Sequence, residues 1–219
     1  MPLTKTRHPL TREDWIEAAR KVLVVSGVDD VKVDRLAKKL KVTRGSFYWH
    51  FKDRKDLHDA LLLGWVDQNR RELNGITERS GGGRPSAIEF VRVWLTEDPA
   101  NPTFDMAIRF WARKSAKVAA LVHKIDDEWI ALIQSMLQDS SEDEFTALAR
   151  ARVMYFQQIG YYAVEIQEPL EARLRFAPHY HKVLVGSQGE QELADLIEEL
   201  RERARSPARS RVSRKAVRT

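Results

Sequence analysis

The chain has 219 residues, 43% of them hydrophobic and 32% charged, enough apolar material for one sizeable core or two modest ones. It holds no cysteine, which excludes disulfides and thiolate metal sites, and no stretch approaches the roughly 18 apolar residues of a membrane span. The formal net charge of +5 is partitioned: residues 1–71 hold 16 Lys+Arg against 10 Asp+Glu (net +6), residues 72–204 hold 15 against 22 (net −7), and residues 205–219 hold 6 against none (net +6). A basic end joined to an acidic body points to one end that faces a polyanion. The N-terminal MPLTKTRHPLTRED lacks the apolar segment of a signal peptide, so a cytoplasmic protein without a membrane partner is expected.

Helical spacing runs through nearly the whole chain, and strand-like alternation is absent over any useful length. A first helix is predicted from Thr11, an N-cap followed by Glu13 and Asp14 where the helix dipole favours acids. Its stripe is Trp15, Ile16, Ala19, Val22 and Leu23, and Gly27 is its natural stop. A short second helix carries Val33, Leu36, Ala37 and Leu40. After a tight break at KVT, Thr43 should cap a third helix with Phe47 and Phe51 as its apolar pair. Asp53 should cap a fourth, long helix that runs to about Asn74 with Leu57, Leu61 and Trp65 on one face. Glycine and proline then punctuate the chain at residues 80–86, 97–103 and 185–190.

Three short helices with a tight turn between the second and third make a helix-turn-helix, whose third helix enters a DNA major groove. The stretch TRGSFYWHFKDRKDL, residues 43–57, fits that role. Aromatic residues at helical spacing are ordinarily core, and Phe47 and Phe51 are read so. Each helical step rotates a side chain by about 100°, so Tyr48, Trp49 and His50 cannot share that face and need another partner. With Arg44, Lys52, Arg54 and Lys55 alongside, double-stranded DNA is the partner that fits.

The segment VDRLAKKLKVTRGSFYWHFKDRKDLHDALL resembles the DNA-binding domain of the TetR family of bacterial transcriptional regulators, most specifically over Thr43–Leu57 and clearly over residues 10–65. FDMAIRFWARKSAKVAALVHKIDDEWIALI looks like the sixth and seventh helices of such proteins. The resemblance implies an all-α homodimer. Each chain would have a helix-turn-helix domain over 11–52 after a flexible arm (1–10), a connecting helix (53–74), a helical ligand-binding and dimerisation domain (75–205), and a disordered basic tail (206–219). It implies binding to a pseudo-palindromic operator in successive major grooves, and release by a small-molecule effector. By the same resemblance Thr43, Arg44, Gly45 and Ser46 form the front of the recognition helix. There Arg44 is the candidate for a bidentate guanine contact and Gly45 permits close approach of backbone and DNA. Tyr48 and His50 look like phosphate contacts. Trp49 has two readings: contact with a thymine methyl or sugar, or packing on the first helix. Arg54 and Lys55 would hold the sugar-phosphate chain with the helix N-terminus. Two departures stand out. Lys41 occupies a left-handed position where many relatives have glycine, held there for a phosphate contact or marking a different turn. Lys32, Val33 and Asp34 replace the usual Ser or Thr entry to the second helix, and Asp34 would repel DNA if it faced it.

The ligand candidates, taken from the segments that roof a family pocket, are Phe90, Trp94, Phe104, Trp111, Tyr155, Gln158, Tyr161 and Tyr162; any one of them also fits an ordinary core or interface role. The dimerisation candidate is Phe145–Ile166, where Ala149, Ala151, Gly160 and Ala163 permit close helix approach around Phe156, with a helix within 170–185 or a later one as partner. Residues 188–205 form an amphipathic helix with Leu193, Leu196, Ile197 and Leu200 in one stripe and a Glu199–Arg203 pair on the wet side, expected to pack on the dimer. His179 and His181 have spacing too weak for a metal site, and no metal or cofactor is expected. No nucleophile motif, zinc signature or phosphate loop after a strand is present, and SGGGR (80–84) reads as a linker, so an enzyme is not expected. The function expected is a sequence-specific, homodimeric, ligand-released repressor. A ligand-independent repressor, an activator and a nonspecific architectural DNA binder are the alternatives.

Overall fold

The computed structural model describes residues 10–80, 87–96, 100–137 and 143–205. Residues 1–9 of the expected arm (1–10), residues 81–84 of the expected linker (80–84) and the tail over 206–219 lie outside the described residues. Among those described, the chain is all-helical: α1 (Arg12–Ser26), a 3-10 turn (Val28–Asp30), α2 (Val33–Leu40), α3 (Arg44–Phe47), α4 (Arg54–Arg79), α5 (Ala87–Thr96), α6 (Ala100–Ala112), α7 (Ala116–Leu137), α8 (Glu144–Ala163), α9 (Leu170–Leu184) and α10 (Glu190–Arg205).

The helices gather into two compact units. One comprises the described parts of Met1–Leu73 and Asp98–Glu128, the other those of Asn74–Glu97 and Trp129–Thr219. The first unit begins with the predicted cap. The Thr11 side chain accepts from the Asp14 N–H at 3.2 Å, and the Asp14 carboxylate accepts from the Thr11 N–H at 2.8 Å, a reciprocal box that satisfies two otherwise orphaned donors. The Thr11 N–H first, then the Thr11 hydroxyl, which donates to the same carboxylate at 3.0 Å, hold the Asp14 carboxyl below its ordinary range. Gly27 ends α1 at φ 79°, a conformation that costs a side-chain-bearing residue and costs glycine little. Trp15, Ala19 and Leu23 face inward with Leu36, Phe47, Phe51, Leu57, Leu61 and Trp65. α6 packs on α1, with the Arg20 guanidinium 4.5 Å from the centre of the Phe104 ring.

The second unit is built around Ile88, Leu95, Leu174, Ala177, Leu193, Leu196, Ile197 and Leu200, so the predicted α10 stripe is buried. Its partners are α5 and α9 of the same chain. Expected on the dimer, this stripe is instead consumed within the chain because α5 and α9 present a matching apolar face. The Glu199–Arg203 pair forms at 2.7 Å, and Glu199 also receives Arg92 of α5 at 2.8 Å.

Three local expectations change. The third helix is a single turn, four residues long, and Phe51 lies beyond it; the Phe47 carbonyl accepts from both the His50 and Phe51 N–H groups at 2.9 and 3.0 Å, which closes the turn. Thr43 stands at the N-cap position without a side-chain cap bond. α4 continues past Asn74 to Arg79. Its start is as expected, with the Asp56 N–H donating to the Asp53 carboxylate at 2.8 Å.

Phe47 is fully buried and Trp49 is 87% exposed, two residues apart. Phe47→Ala should therefore cost about 3–5 kcal/mol in urea unfolding, whereas Trp49→Ala should stay within about 0.5 kcal/mol of wild type. Equal losses for the two variants would contradict this packing.

Candidate nucleic-acid interface

The candidate surface runs from the end of α2 to the start of α4. α2 ends with the Lys41 N–H bonded to the Lys38 carbonyl at 3.2 Å and the Val42 N–H bonded to the Ala37 carbonyl at 3.0 Å, the two bonds of a Schellman stop. This requires a left-handed residue, and Lys41 supplies it at φ 57°, ψ 46°, where a side chain costs roughly 1–2 kcal/mol. The turn it makes is the one that sets α3 against α2.

Below the surface, Phe47 stacks on Phe51 with ring centres 5.2 Å apart, and Trp15 meets Phe47 edge-on at 5.3 Å. The Arg12 guanidinium covers Phe51 at 4.7 Å. Above it, Lys41, Thr43, Arg44, Gly45, Tyr48 and Trp49 are exposed, and Ser46 and His50 are half-buried. The Tyr48 ring braces edge-on against Phe47 at 5.3 Å while remaining 55% exposed, so a rigid phenol is presented on a packed base. Trp49 has no packing role on α1: its indole stands in solvent.

The cations divide by what holds them. The Arg54 guanidinium donates to the carbonyls of Val31 (2.7 Å), Val28 (2.9 Å) and Asp29 (3.4 Å), tying α4 to the turn between α1 and α2. Lys55 is exposed and pairs with Asp59 at 2.8 Å, and Lys117 at the start of α7 reaches the same carboxylate at 2.8 Å. Lys117 first, then Lys55, pulls the Asp59 carboxyl from 3.8 down to about 2. Lys114 likewise reaches Asp29 at 2.6 Å. Arg44 and Asp34, both exposed, form an ion pair at 2.8 Å. His58 sits edge-on to Trp111 at 5.1 Å, and burial together with Arg54 holds its imidazole below the ordinary value.

This arrangement agrees with the comparisons. Residues 16–61 match the bacterial regulatory proteins of the tetR family. Through this head the chain is similar to the TetR family. It is 44% identical over 52 residues to the HTH-type transcriptional regulator SrpR of Pseudomonas putida, which is 24% of each chain. It is 40% identical over 54 residues to the class D tetracycline repressor protein of Escherichia coli, 25% of each chain. The match thus spans about a quarter of the length of these curated relatives. Over a longer stretch the fold resembles that of the multidrug binding protein EbrR, solved in complex with imidazole, with a TM-score of 0.52 and 18% identity over 86% of this chain and 96% of that one. The fold is that of TetR-family regulators: a helix-turn-helix followed by a helical domain.

The sequence-derived ligand candidates fall into both units. Phe104 and Trp111 belong to the first, where they pack against Arg20 and His58 of the head's own helices. Phe90, Trp94, Tyr155, Gln158, Tyr161 and Tyr162 belong to the second. There Phe90 lies between Trp94 (3.9 Å) and Trp129 (6.0 Å), and the Tyr161 and Tyr180 hydroxyls meet at 2.8 Å, which pushes the Tyr161 phenol up to about 12. The dimer candidates Ala149, Phe156, Gly160 and Ala163 are all exposed on α8, and a side chain at Gly160 would meet nothing within 4 Å. Val153 joins them, so exposed positions recur at spacings of four and three. Phe176, Tyr180 and Val183 repeat this spacing, exposed, on α9. His181 is buried, its Nε2 donating to the Gln188 carbonyl at 2.6 Å.

Sequence reading missed the Lys117–Asp59 and Lys114–Asp29 pairs and the four-residue cluster in which the Trp65 indole donates to Asp105 (2.9 Å) while Arg109 binds Asp105 (2.7 Å) and Asp126 (2.8 Å). Apart from Asp105–Arg109, these partners lie too far apart in the chain to leave a local signature. The Asp59 cluster makes a testable electrostatic statement. Its folded pKa lies below the unfolded value, so its stabilisation is present above about pH 4 and is lost as pH falls through about 2. Wild type should lose stability across that window more steeply than Asp59→Asn in pH-jump denaturation. The difference should shrink in high salt because the carboxylate is partly exposed. Parallel curves would remove the cluster from the stability account.

Proposed function

We propose that the protein is a homodimeric, ligand-responsive transcriptional repressor that binds a pseudo-palindromic double-stranded operator through residues 11–52, and acts in the cytoplasm. Residues 53–74 serve as the connecting helix, and 75–205 as the ligand-binding and dimerisation part. The observation that carries the reading is the Tyr48–Trp49 ridge, braced from below by Phe47 and Phe51 and flanked by exposed Lys41, Arg44, Lys52 and Lys55. Bulky side chains held out of the core by rigid packing, beside cations, suit a groove-facing surface. Arg44 reads a base, and Tyr48, His50, Lys41 and Lys55 face phosphates; Thr43, Gly45 and Ser46 supply the close approach. Arg54 acts on DNA only through the turn it ties down, since three carbonyls already occupy its guanidinium.

The effector is a small molecule received by the helical part, and the aromatic set of Phe90, Trp94 and Trp129 suits a planar organic ligand. The likeness to a multidrug binding protein solved with imidazole supports this reading. The second copy docks on the exposed α8 and α9 stripes. Their four-and-three spacing suits helix packing at shallow angles, and no described helix of the same chain covers them.

Selection from randomised duplex DNA at near-physiological salt tests the head. Wild type should enrich an inverted repeat. Tyr48→Ala and Lys55→Ala should weaken binding across all sequences, because phosphate contacts carry no sequence information. Binding without any enriched sequence would favour a nonspecific architectural role instead. The dimer is tested by sedimentation. Wild type should run at twice the 25.3 kDa chain mass, and the paired change Val153→Glu with Phe156→Glu should return it to one chain mass without loss of helicity. A monomeric wild type would sink the dimer.

A further inference from the structure

Asp34 stands where it ought to hurt. It lies in the first turn of α2, 69% exposed, on a surface otherwise furnished with cations, and a carboxylate there lowers affinity for any phosphate backbone. Its fold contribution does not offset this. The partner is Arg44, itself 62% exposed, and ion pairs between two exposed side chains add little to stability. The geometry of that pair suggests another use.

We infer that Asp34 is the positioning residue that makes Arg44 a guanine reader, a conclusion that rests on the operator-binding role proposed above. The Asp34 Oδ1 lies 2.8 Å from the Arg44 Nε, so the carboxylate engages the side edge of the guanidinium. A guanidinium is planar and presents its donors along more than one edge. With the side edge held, the end edge formed by Nη1 and Nη2 remains, and this is the edge whose paired donors match N7 and O6 of guanine. Arg44 opens the one-turn helix α3, where its long side chain would otherwise sample many rotamers. Asp34 comes from a different helix, α2, whose relation to α3 is set by the Lys41 turn. The carboxylate therefore fixes the fork from outside its own helix. The pair exchanges general affinity for discrimination: one negative charge weakens binding to every duplex, and the aimed fork restores it only where guanine is present.

The test is the same randomised-duplex selection, followed by titration of the enriched site and of its guanine-substituted versions. It uses wild type, Arg44→Ala, Asp34→Ala and the double variant, each checked for an unchanged melting curve. Wild type should prefer guanine at one position of each half-site by about 5- to 150-fold. Arg44→Ala should lose that preference. Asp34→Ala should bind substituted sites as well as wild type does or better, since a repelling charge is gone, yet its preference should fall to within about 3-fold at the same position. In the Arg44→Ala background, Asp34→Ala should change the preference no further. If Asp34→Ala strengthens binding to all duplexes equally and keeps the guanine preference, Asp34 is only a repelling charge and the inference fails. If wild type enriches no inverted repeat, the operator-binding reading itself fails and takes this inference with it.

Discussion

A helix that turns its side chains by about 100° per residue cannot bury four consecutive bulky ones. From that constraint the exposed aromatic ridge follows. Phe47 goes down onto Trp15 with Phe51 stacked on it, while Tyr48 and Trp49 come out. The Phe47 ring then serves both sides: it closes the core and braces the phenol above it. A surface built this way is rigid because its foundation is close-packed, and displacing the ridge means opening the core beneath it.

Charge is arranged on that base with some economy. Several of the head's basic groups are already committed. Arg54 is tied to three carbonyls, Arg44 to Asp34, and Lys55 to a carboxylate that Lys117 shares. Two of the carboxylates are bound from further along the chain, Asp29 by Lys114 in the turn between α6 and α7 and Asp59 by Lys117 at the start of α7. The head's electrostatics are thus partly set by a helix that is distant in sequence. α6 adds contacts of its own through Phe104 and Trp111, which are as much part of the head's packing as of any pocket.

The second unit follows a different logic. Its core is satisfied internally, α10 against α5 and α9, and its polar links, such as Arg92 to Glu199 and Arg150 to the Leu184 carbonyl, stay within the chain. What it leaves over is a pair of apolar stripes on α8 and α9. Stripes with helical periodicity on neighbouring helices are the usual mark of a surface meant for another helix pair.

Much of this was legible from the residues. The Thr11 cap, the Gly27 stop, the start of α4 at Asp53 and the α10 stripe depend on near neighbours in the chain, and local chemistry decides them. The split of the ridge into buried Phe47 and Phe51 and exposed Tyr48 and Trp49 matches the expected phase, although α3 ends at Phe47 and a closing turn on the Phe47 carbonyl carries the chain to Phe51. The tertiary structure alone decided which partners the charged side chains took. Arg54, which by sequence belongs with the phosphate-facing cations, went to carbonyls 23 to 26 positions earlier, and Asp34 went to Arg44. It also decided that α10 would be covered by its own chain. Spacing along a helix carries phase, but it carries no information about which distant group will arrive opposite. That is settled only when the helices pack, because the energy of a charge or an apolar face depends on what meets it.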